Sequence, residues 1–120
     1  MRHITQQENT FLLSTAHTAM LLQITKYGHV ELLHYGMPVS IEDARRTMPY
    51  GSQVMYTEED PTYCLDNIPL LWSGVGKGDF RISPIELELP DGTLTTDFVY
   101  EDCTLRAGTL PAVGLPAAYD

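Results

Sequence analysis

Apolar and polar residues alternate along much of the chain with the period of two that is typical of β-strands. A first strand is predicted over residues 9–18, after a polar lead-in. Two further strands form a predicted hairpin that turns at Gly28, and their apolar residues share one face. The residues of that face are Met20, Leu22, Ile24, Val30 and Leu32. The pattern therefore predicts an antiparallel sheet.

The alternation returns over residues 85–89 and 94–100, on either side of a Pro-Asp-Gly-Thr turn at residues 90–93. The residues predicted to point inward in the first of these strands are Ile85, Leu87 and Leu89, and those predicted to point outward are Glu86 and Glu88.

One short helix is predicted among the strands, over residues 42–47. Ser40 is a favourable N-cap, and Asp43 lies three residues beyond it. The fold class expected from these elements is all-β, an antiparallel β-sandwich with one short helix. Residues 1–120 are expected to form one domain, or part of one, and the Gly-Leu-Pro-Ala-Ala-Tyr-Asp ending is expected to be a cut within a larger domain.

The composition and charge indicate which partners and which cellular compartment to expect. With 43% hydrophobic and 19% charged residues the chain has a globular composition, and its net charge of −9 repels phosphate backbones and anionic membranes, so no nucleic-acid or membrane partner is expected. Sugars are compatible with that charge. No signal peptide is visible and no apolar run has the roughly 18 residues of a membrane helix, so a cytoplasmic location is expected. Cys64 and Cys103 are expected to be free thiols in preference to a disulfide.

Several kinds of chemistry are not supported by the spacing of their residues. The Gly-Val-Gly-Lys-Gly segment lacks the first glycine of a P-loop, because Leu71 stands there. His29 and His34 are an odd number of residues apart and cannot share one face of a strand, although they could pair across strands. No His-Glu-x-x-His motif or Cys/His framework is present, and neither a metal nor a cofactor is expected. Most carboxylates are predicted on solvated strand positions or turns. Examples are Glu86, Glu88, Asp91 and Asp97.

One segment is richer in functional side chains than a connecting loop requires. Residues 65–81 contain the chain's only tryptophan, Trp72, together with Asp66, Lys77, Asp79 and Arg81. In one interpretation Trp72 covers the edge of the core and Asp79 pairs with Arg81 or Lys77. In the other the loop faces a ligand, because aromatic faces stack on sugar rings and Asp and Arg form directional hydrogen bonds with hydroxyl groups.

Four motifs in order resemble the N-terminal region of family 36 glycoside hydrolases, the bacterial α-galactosidases that act on melibiose and raffinose. Along the chain they are Gly-His-Val-Glu-Leu-Leu-His-Tyr-Gly; Leu-Asp-Asn-Ile-Pro-Leu with the following Trp, Gly and Gly-Asp-Phe-Arg; the segment 85–100; and Gly-Leu-Pro-Ala-Ala-Tyr-Asp. The chain departs from the family at Leu71 and Trp72, where an acidic residue and Tyr or Phe are common, and at Ser73, where proline is common.

The resemblance implies that the chain is part of an N-terminal β-supersandwich and that catalysis, by two aspartates with retention of configuration, occurs on a barrel outside it. No catalytic residue is then expected here, and the fragment alone is expected to be inactive. The resemblance also implies a homo-oligomer, typically a tetramer, in which this loop completes a neighbour's pocket for α-galactoside oligosaccharides. The candidate substrate-binding residues are Asp66, Trp72, Asp79 and Arg81. A free-standing carbohydrate-binding β-sandwich and a purely structural interaction domain are the alternatives.

Overall fold

The computed structural model describes residues 3–46, 59–108 and 113–114. Its strands form one antiparallel sheet in the order β1-β2-β3-β4, so the predicted all-β, antiparallel class is confirmed. The strands are β1 (His3–Gln7), β2 (Thr10–Ser14), β3 (Ala19–Ile24) and β4 (Val30–Gly36), and the 3₁₀ helices are Ile41–Arg46 and Leu65–Asn67. Within the described ranges no helix is long and apolar enough to cross a membrane.

The β3–β4 hairpin has the predicted pairing next to its turn, whereas a register shift between Leu21 and Leu22 was not predicted. Ile24 lies opposite Val30 and Leu22 opposite Leu32, so their side chains share one face of the sheet. Gly28 has a φ of +87°, which glycine adopts without the penalty that a side chain brings, and it allows the tight turn. The predicted turn and its pairing are confirmed.

Strand β1 was not expected, because the polar lead-in shows no apolar alternation. It pairs antiparallel with β2 across a turn at Glu8 and Asn9. Glu8 has a φ of +54°, a conformation in which Asn or Gly is more common, so the turn lacks the usual sequence signal. The Asn9 amide nitrogen donates to the Ile24 carbonyl at 2.6 Å and links this turn to the end of β3.

The predicted short helix is present as a 3₁₀ helix, and it contacts β2 and β3. The Asp43 carboxylate accepts hydrogen bonds from the Ser40 backbone N–H at 2.9 Å and from its hydroxyl at 3.1 Å. This arrangement, in which the third residue reaches back to the cap, explains why the helix starts here. Thr47, the last residue of the prediction, lies outside the described residues.

The strands predicted over residues 85–89 and 94–100 are not present as strands. The turn between them is formed, since the Leu89 N–H donates to the Thr93 carbonyl at 2.9 Å, but no ladder continues from it. Leu87, Leu89 and Leu94 are exposed, so the inward direction predicted for Leu87 and Leu89 is wrong for the described chain. β-strand preference depends on neighbouring strands and burial, and this segment pairs with no strand along its length, although Thr96 is buried.

Residues 98–105 lie over the sheet face that carries Phe11 and Leu22. The rings of Phe11 and Tyr100 are 6.1 Å apart, and the Tyr100 N–H donates to the Gly28 carbonyl at 2.7 Å. Both cysteines are free thiols, as predicted.

A buried cluster of Tyr63, Leu65 and Ile68 lies beyond the hairpin turn, with Tyr27 and Leu70 packed against it. The cluster contains residues from both sides of the second 3₁₀ helix. The fold thus holds the segment after Leu65 close to the hairpin.

Candidate functional site

The loop that follows the second 3₁₀ helix begins against the edge of β4. The Leu32 N–H donates to the Pro69 carbonyl at 2.8 Å, and the Leu71 N–H donates to the Val30 carbonyl at 2.9 Å. These two bonds extend the sheet by a few residues of the loop. The hairpin therefore positions the start of the loop.

The Arg81 side chain connects the two ends of this loop. Its Nε and Nη2 donate to the Asp79 carboxylate at 2.9 and 3.3 Å, and Nη1 and Nη2 donate to the backbone carbonyls of Ile68 and Leu65 at 2.7 and 2.6 Å. The Asp79 side chain is fully buried. The predicted Asp79–Arg81 pair exists, and it closes the loop as a planar guanidinium can. We call the set Leu65, Ile68, Asp79 and Arg81 the clamp.

Asp66 lies beside the clamp and remains exposed. Its Oδ1 accepts the Phe80 backbone N–H at 3.2 Å, while the Arg81 N–H donates to the Asp79 carboxylate at 3.1 Å. The structure thus brings together three of the four candidate residues. Because the clamp uses most of the guanidinium donors, Asp66 is the more available polar group for a ligand.

Trp72 lies away from the clamp, beside a cavity of about 290 Å³ that is also lined by Val30, Ile85, Phe98 and Tyr100. Trp72 is 47% exposed. Part of the Trp72 side chain therefore borders this cavity, and the rest is exposed to solvent.

Gly74 packs against the backbone of a neighbouring segment. The Thr96 N–H donates to the Val75 carbonyl at 2.9 Å, and the Val75 N–H donates to the Thr96 hydroxyl at 3.0 Å. A Cβ at Gly74 would stand 2.5 Å from the Thr96 carbonyl oxygen, a contact that only a backbone shift can relieve. Glycine at this position keeps the two segments in register.

We expect Gly74→Ala to lower the free energy of unfolding by about 1–3 kcal/mol, the range for overpacking a closely packed site. Urea unfolding of the chain, followed by circular dichroism, measures this. Gly36→Ala is the matched control, because its Cβ would meet only the His34 ring, at 3.3 Å, and a side chain can move. Equal effects of the two substitutions would contradict the close-approach explanation.

A buried polar network lies behind the loop, and the sequence did not predict it. His29 is buried; its Nδ1 is 2.8 Å from the Tyr63 hydroxyl, and its Nε2 is 2.8 Å from Asp97 Oδ1. The Lys77 ammonium donates to the other Asp97 oxygen at 3.0 Å, and the Tyr63 hydroxyl is 2.6 Å from that of Thr25. The network joins the hairpin turn to the glycine-rich part of the loop.

The prediction that Asp97 lies on a solvated face is therefore wrong. The carboxylate is drawn inward by His29 and Lys77, whereas the other three carboxylates of that prediction, Glu86, Glu88 and Asp91, are exposed. The sequence distance hid this contact, since His29 and Asp97 lie on separate predicted elements. Among the described residues, no group of three or more His, Cys, Asp or Glu side chains is positioned to hold a metal ion.

Two further carboxylates have altered proton affinities, and neither was predicted. Burial of Glu31 on β4 raises the pKa of its carboxyl to about 7. The ion pair with Lys26 and the hydrogen bonds from Thr62 hold the pKa of Asp60 well below its usual range. Asp60 therefore stays ionised in its pair, whereas the Glu31 carboxylate takes up a proton as the pH falls through neutrality.

Comparison with known proteins identifies relatives of this chain. The family model described as "Glycosyl hydrolase family 36 N-terminal domain" matches residues 28–120. The chain is 29% identical over 118 residues to the bifunctional alpha-galactosidase/sucrose kinase AgaSK of Mediterraneibacter gnavus, covering 91% of this chain and 12% of that protein. It is 25% identical over 116 residues to the alpha-galactosidase AgaA of Geobacillus stearothermophilus, covering 94% of this chain and 16% of the relative.

A solved structure shares the fold. The galactosidase domain of the alpha-galactosidase-sucrose kinase AgaSK superposes with a TM-score of 0.82 at 26% identity, over 96% of this chain and 17% of that one. The chain thus spans less than a fifth of the length of these relatives.

Proposed function

Because the chain belongs to the N-terminal domain family of glycosyl hydrolase family 36, we propose that it is a non-catalytic part of an α-galactosidase. The single observation that carries the proposal is the family match over residues 28–120, which includes the whole loop. Two relatives that carry α-galactosidase in their names support it. The proposed substrates of the whole protein are terminal α-galactosides such as melibiose and raffinose, hydrolysed with retention of configuration by two carboxylates outside residues 1–120.

In this proposal the loop contributes to the substrate pocket of a neighbouring subunit in a homo-oligomer, which we expect to be a tetramer. The four candidate residues divide into two roles. Asp66 and Trp72 are exposed and offer a carboxylate and an aromatic face to a sugar, whereas Asp79 and Arg81 hold the loop in shape through the clamp. The exposed pair is suited to the sugar rings beyond the terminal galactose.

The proposal is tested in the full-length protein with Asp66→Asn and Trp72→Ala. The amide introduced by Asp66→Asn would keep an oxygen for the Phe80 N–H but would carry no charge. We expect Asp66→Asn to lower kcat/KM for raffinose about 10- to 100-fold, as for the loss of one hydrogen bond to a charged group, worth about 1.5–3 kcal/mol. We expect Trp72→Ala to lower the same kcat/KM through the loss of its aromatic face. The effect on a small aryl α-galactoside should be weaker, because that substrate lacks the additional rings.

The exposed carboxylate of Glu86 provides the control, and Glu86→Gln should leave kcat/KM unchanged for both substrates. Unchanged kinetics for both loop variants would end the pocket role and leave the loop as structure. Absence of hydrolysis of any aryl α-galactoside by the wild-type full-length protein would end the α-galactosidase proposal itself.

A further inference from the structure

Lys77 has a backbone conformation that lysine rarely adopts. Its φ is +54°, between glycines at +88° and +79°, and the Asp79 N–H donates to the Gly76 carbonyl at 3.2 Å. A residue with a side chain in this left-handed region costs free energy, so it persists where the surrounding structure fixes it. We call residues 76–79 the glycine turn, and its last residue is the buried carboxylate of the clamp.

Asp97 fixes the side chain of Lys77. The Lys77 ammonium donates to Asp97 Oδ2 at 3.0 Å, and Asp97 Oδ1 lies 2.8 Å from Nε2 of the buried His29 ring. The backbones of the same two segments are joined as well, since the Thr96 N–H donates to the Val75 carbonyl at 2.9 Å. Asp97 therefore links the hairpin turn, which ends at His29, to the glycine turn.

The hydrogen bonds define which ring nitrogen of His29 carries the proton. A carboxylate that is paired with an ammonium can only accept, so Nε2 of His29 donates to Asp97. In the neutral ring Nδ1 is then an acceptor, and it lies 2.8 Å from the Tyr63 hydroxyl, which is itself 2.6 Å from the Thr25 hydroxyl. The ring is thus held at both nitrogens, and its Nε2–H is directed at Asp97.

We propose that His29 is a positioning residue for the loop, because its Nε2–H holds Asp97 where that carboxylate fixes Lys77. The glycine turn ends at the clamp and leads into Phe80, whose N–H binds Asp66 at 3.2 Å. His29 therefore determines the placement of Asp66 through the glycine turn. Its effect on sugar binding rests on the proposed function, in which Asp66 faces the rings beyond the terminal galactose.

The first test measures hydrogen exchange of the backbone amides of residues 74–81 in the full-length protein by mass spectrometry. His29→Leu removes the donor to Asp97, so these amides should exchange about tenfold faster than in the wild type. His29→Gln should restore most of the protection, because the amide would keep an N–H donor. Tyr27→Phe is the matched control and should leave this exchange unchanged, because the Tyr27 hydroxyl lies in the same hairpin turn but donates to Asp60.

Lys77→Met repeats the test without altering the buried ring, since the Lys77 side chain is 46% exposed. It should accelerate exchange of the same amides by a similar factor. Adding His29→Leu to Lys77→Met should cause no further increase, because two residues that act through one contact are not additive. Additive effects would mean that His29 does not act through Asp97 and Lys77, and would overturn the inference.

The second test measures kcat and KM of the same full-length variants. We expect His29→Leu to raise KM for raffinose about tenfold and to change kcat by less than about twofold, because the loop would bind the additional rings less well. His29→Gln should return KM for raffinose most of the way to the wild-type value. KM for a small aryl α-galactoside should change less in both variants.

The two tests separate this inference from the proposed function. Unchanged exchange of residues 74–81 in His29→Leu and Lys77→Met would overturn the positioning role, and so would an equal rise of exchange throughout the protein. A wild-type protein that hydrolyses no α-galactoside but shows the expected exchange would remove the proposed function and leave His29 as the residue that positions the loop. Faster exchange with an unchanged KM for raffinose, where Asp66→Asn is impaired, would overturn the link from His29 to sugar binding.

Discussion

Arg81→Ala is expected to lower the free energy of unfolding of the chain by about 3 kcal/mol, at the lower end of the range for breaking a buried ion pair. The Asp79 side chain is fully buried, and without Arg81 it would lose its balancing charge. The backbone carbonyls of Leu65 and Ile68 would also lose their donors. The Arg81 side chain itself is 34% exposed, so water can replace part of what is lost, and the lower value is the better expectation.

Urea unfolding followed through Trp72 fluorescence measures this effect. Arg106→Ala is the matched control, because Arg106 is exposed and surface substitutions of this kind usually change stability by less than about 0.5 kcal/mol. Arg81→Lys separates charge from geometry, since an ammonium keeps the charge but cannot reach Asp79, Leu65 and Ile68 together. If Arg81→Ala destabilises the chain no more than Arg106→Ala does, the clamp is not a stabilising unit.

The same substitution distinguishes two roles of Arg81 in the full-length protein. If Arg81 acts through the clamp, kcat/KM for raffinose should fall together with the free energy of unfolding, because the loop that carries Asp66 and Trp72 is disturbed. If Arg81 contacts the additional sugar rings directly, kcat/KM for raffinose should fall without a comparable loss of stability. The side-chain hydrogen bonds that Arg81 makes within the chain favour the combined loss.

The parts of the fold that local sequence determines were predictable. The β3–β4 pairing next to the turn follows from alternating apolar residues and one glycine, and the 3₁₀ helix from Ser40 and Asp43. Strand β1 could not be found in this way, because its residues are all exposed and mostly polar and its turn contains Glu8 in a conformation unusual for that residue. Backbone pairing with β2 overrides the weak strand preference of those side chains.

Residues 85–100 show the opposite case, in which a strong local pattern did not produce strands. Alternation indicates how a segment could be buried, but a strand also requires a neighbour for its N–H and C=O groups. Only isolated backbone bonds connect the described part of this segment to others, such as the one from the Thr96 N–H to the Val75 carbonyl. The turn at residues 90–93 depends on local chemistry alone, and it was predicted correctly.

In the candidate site, too, local contacts could be predicted and long-range contacts could not. The Asp79–Arg81 pair spans two residues and could be predicted, whereas the contact of His29 with Asp97 spans 68 residues and could not. Burial of Glu31 was equally hidden, because a glutamate in an alternating strand is normally assigned to the solvent face. In both cases the sequence did not reveal which elements pack together.

Glu31 should make the stability of the chain fall as the pH rises from about 5 to 8. Burial raises the folded pKa of its carboxyl to about 7, whereas an unfolded glutamate titrates near a pKa of about 4.3. Between these values the folded chain binds more protons than the unfolded chain, so a rise in pH favours unfolding. The difference corresponds to a loss on the order of 2–3 kcal/mol across this window, most of it complete by about pH 8.

The experiment compares Glu31→Gln with the wild-type chain by urea unfolding at pH 5, 6, 7 and 8. The glutamine side chain would retain the shape and polar character of the protonated acid but would carry no charge. The free energy of unfolding of the variant, relative to the wild type, should therefore rise steadily with pH, and the variant should be the more stable of the two at pH 8. Glu86→Gln, which alters an exposed carboxylate, should show no such trend. Comparing differences between variants removes the contribution of Asp60, whose lowered pKa acts at more acidic pH. A Glu31→Gln effect that is the same at pH 5 and pH 8 would show that the buried carboxyl is not neutral in the folded chain.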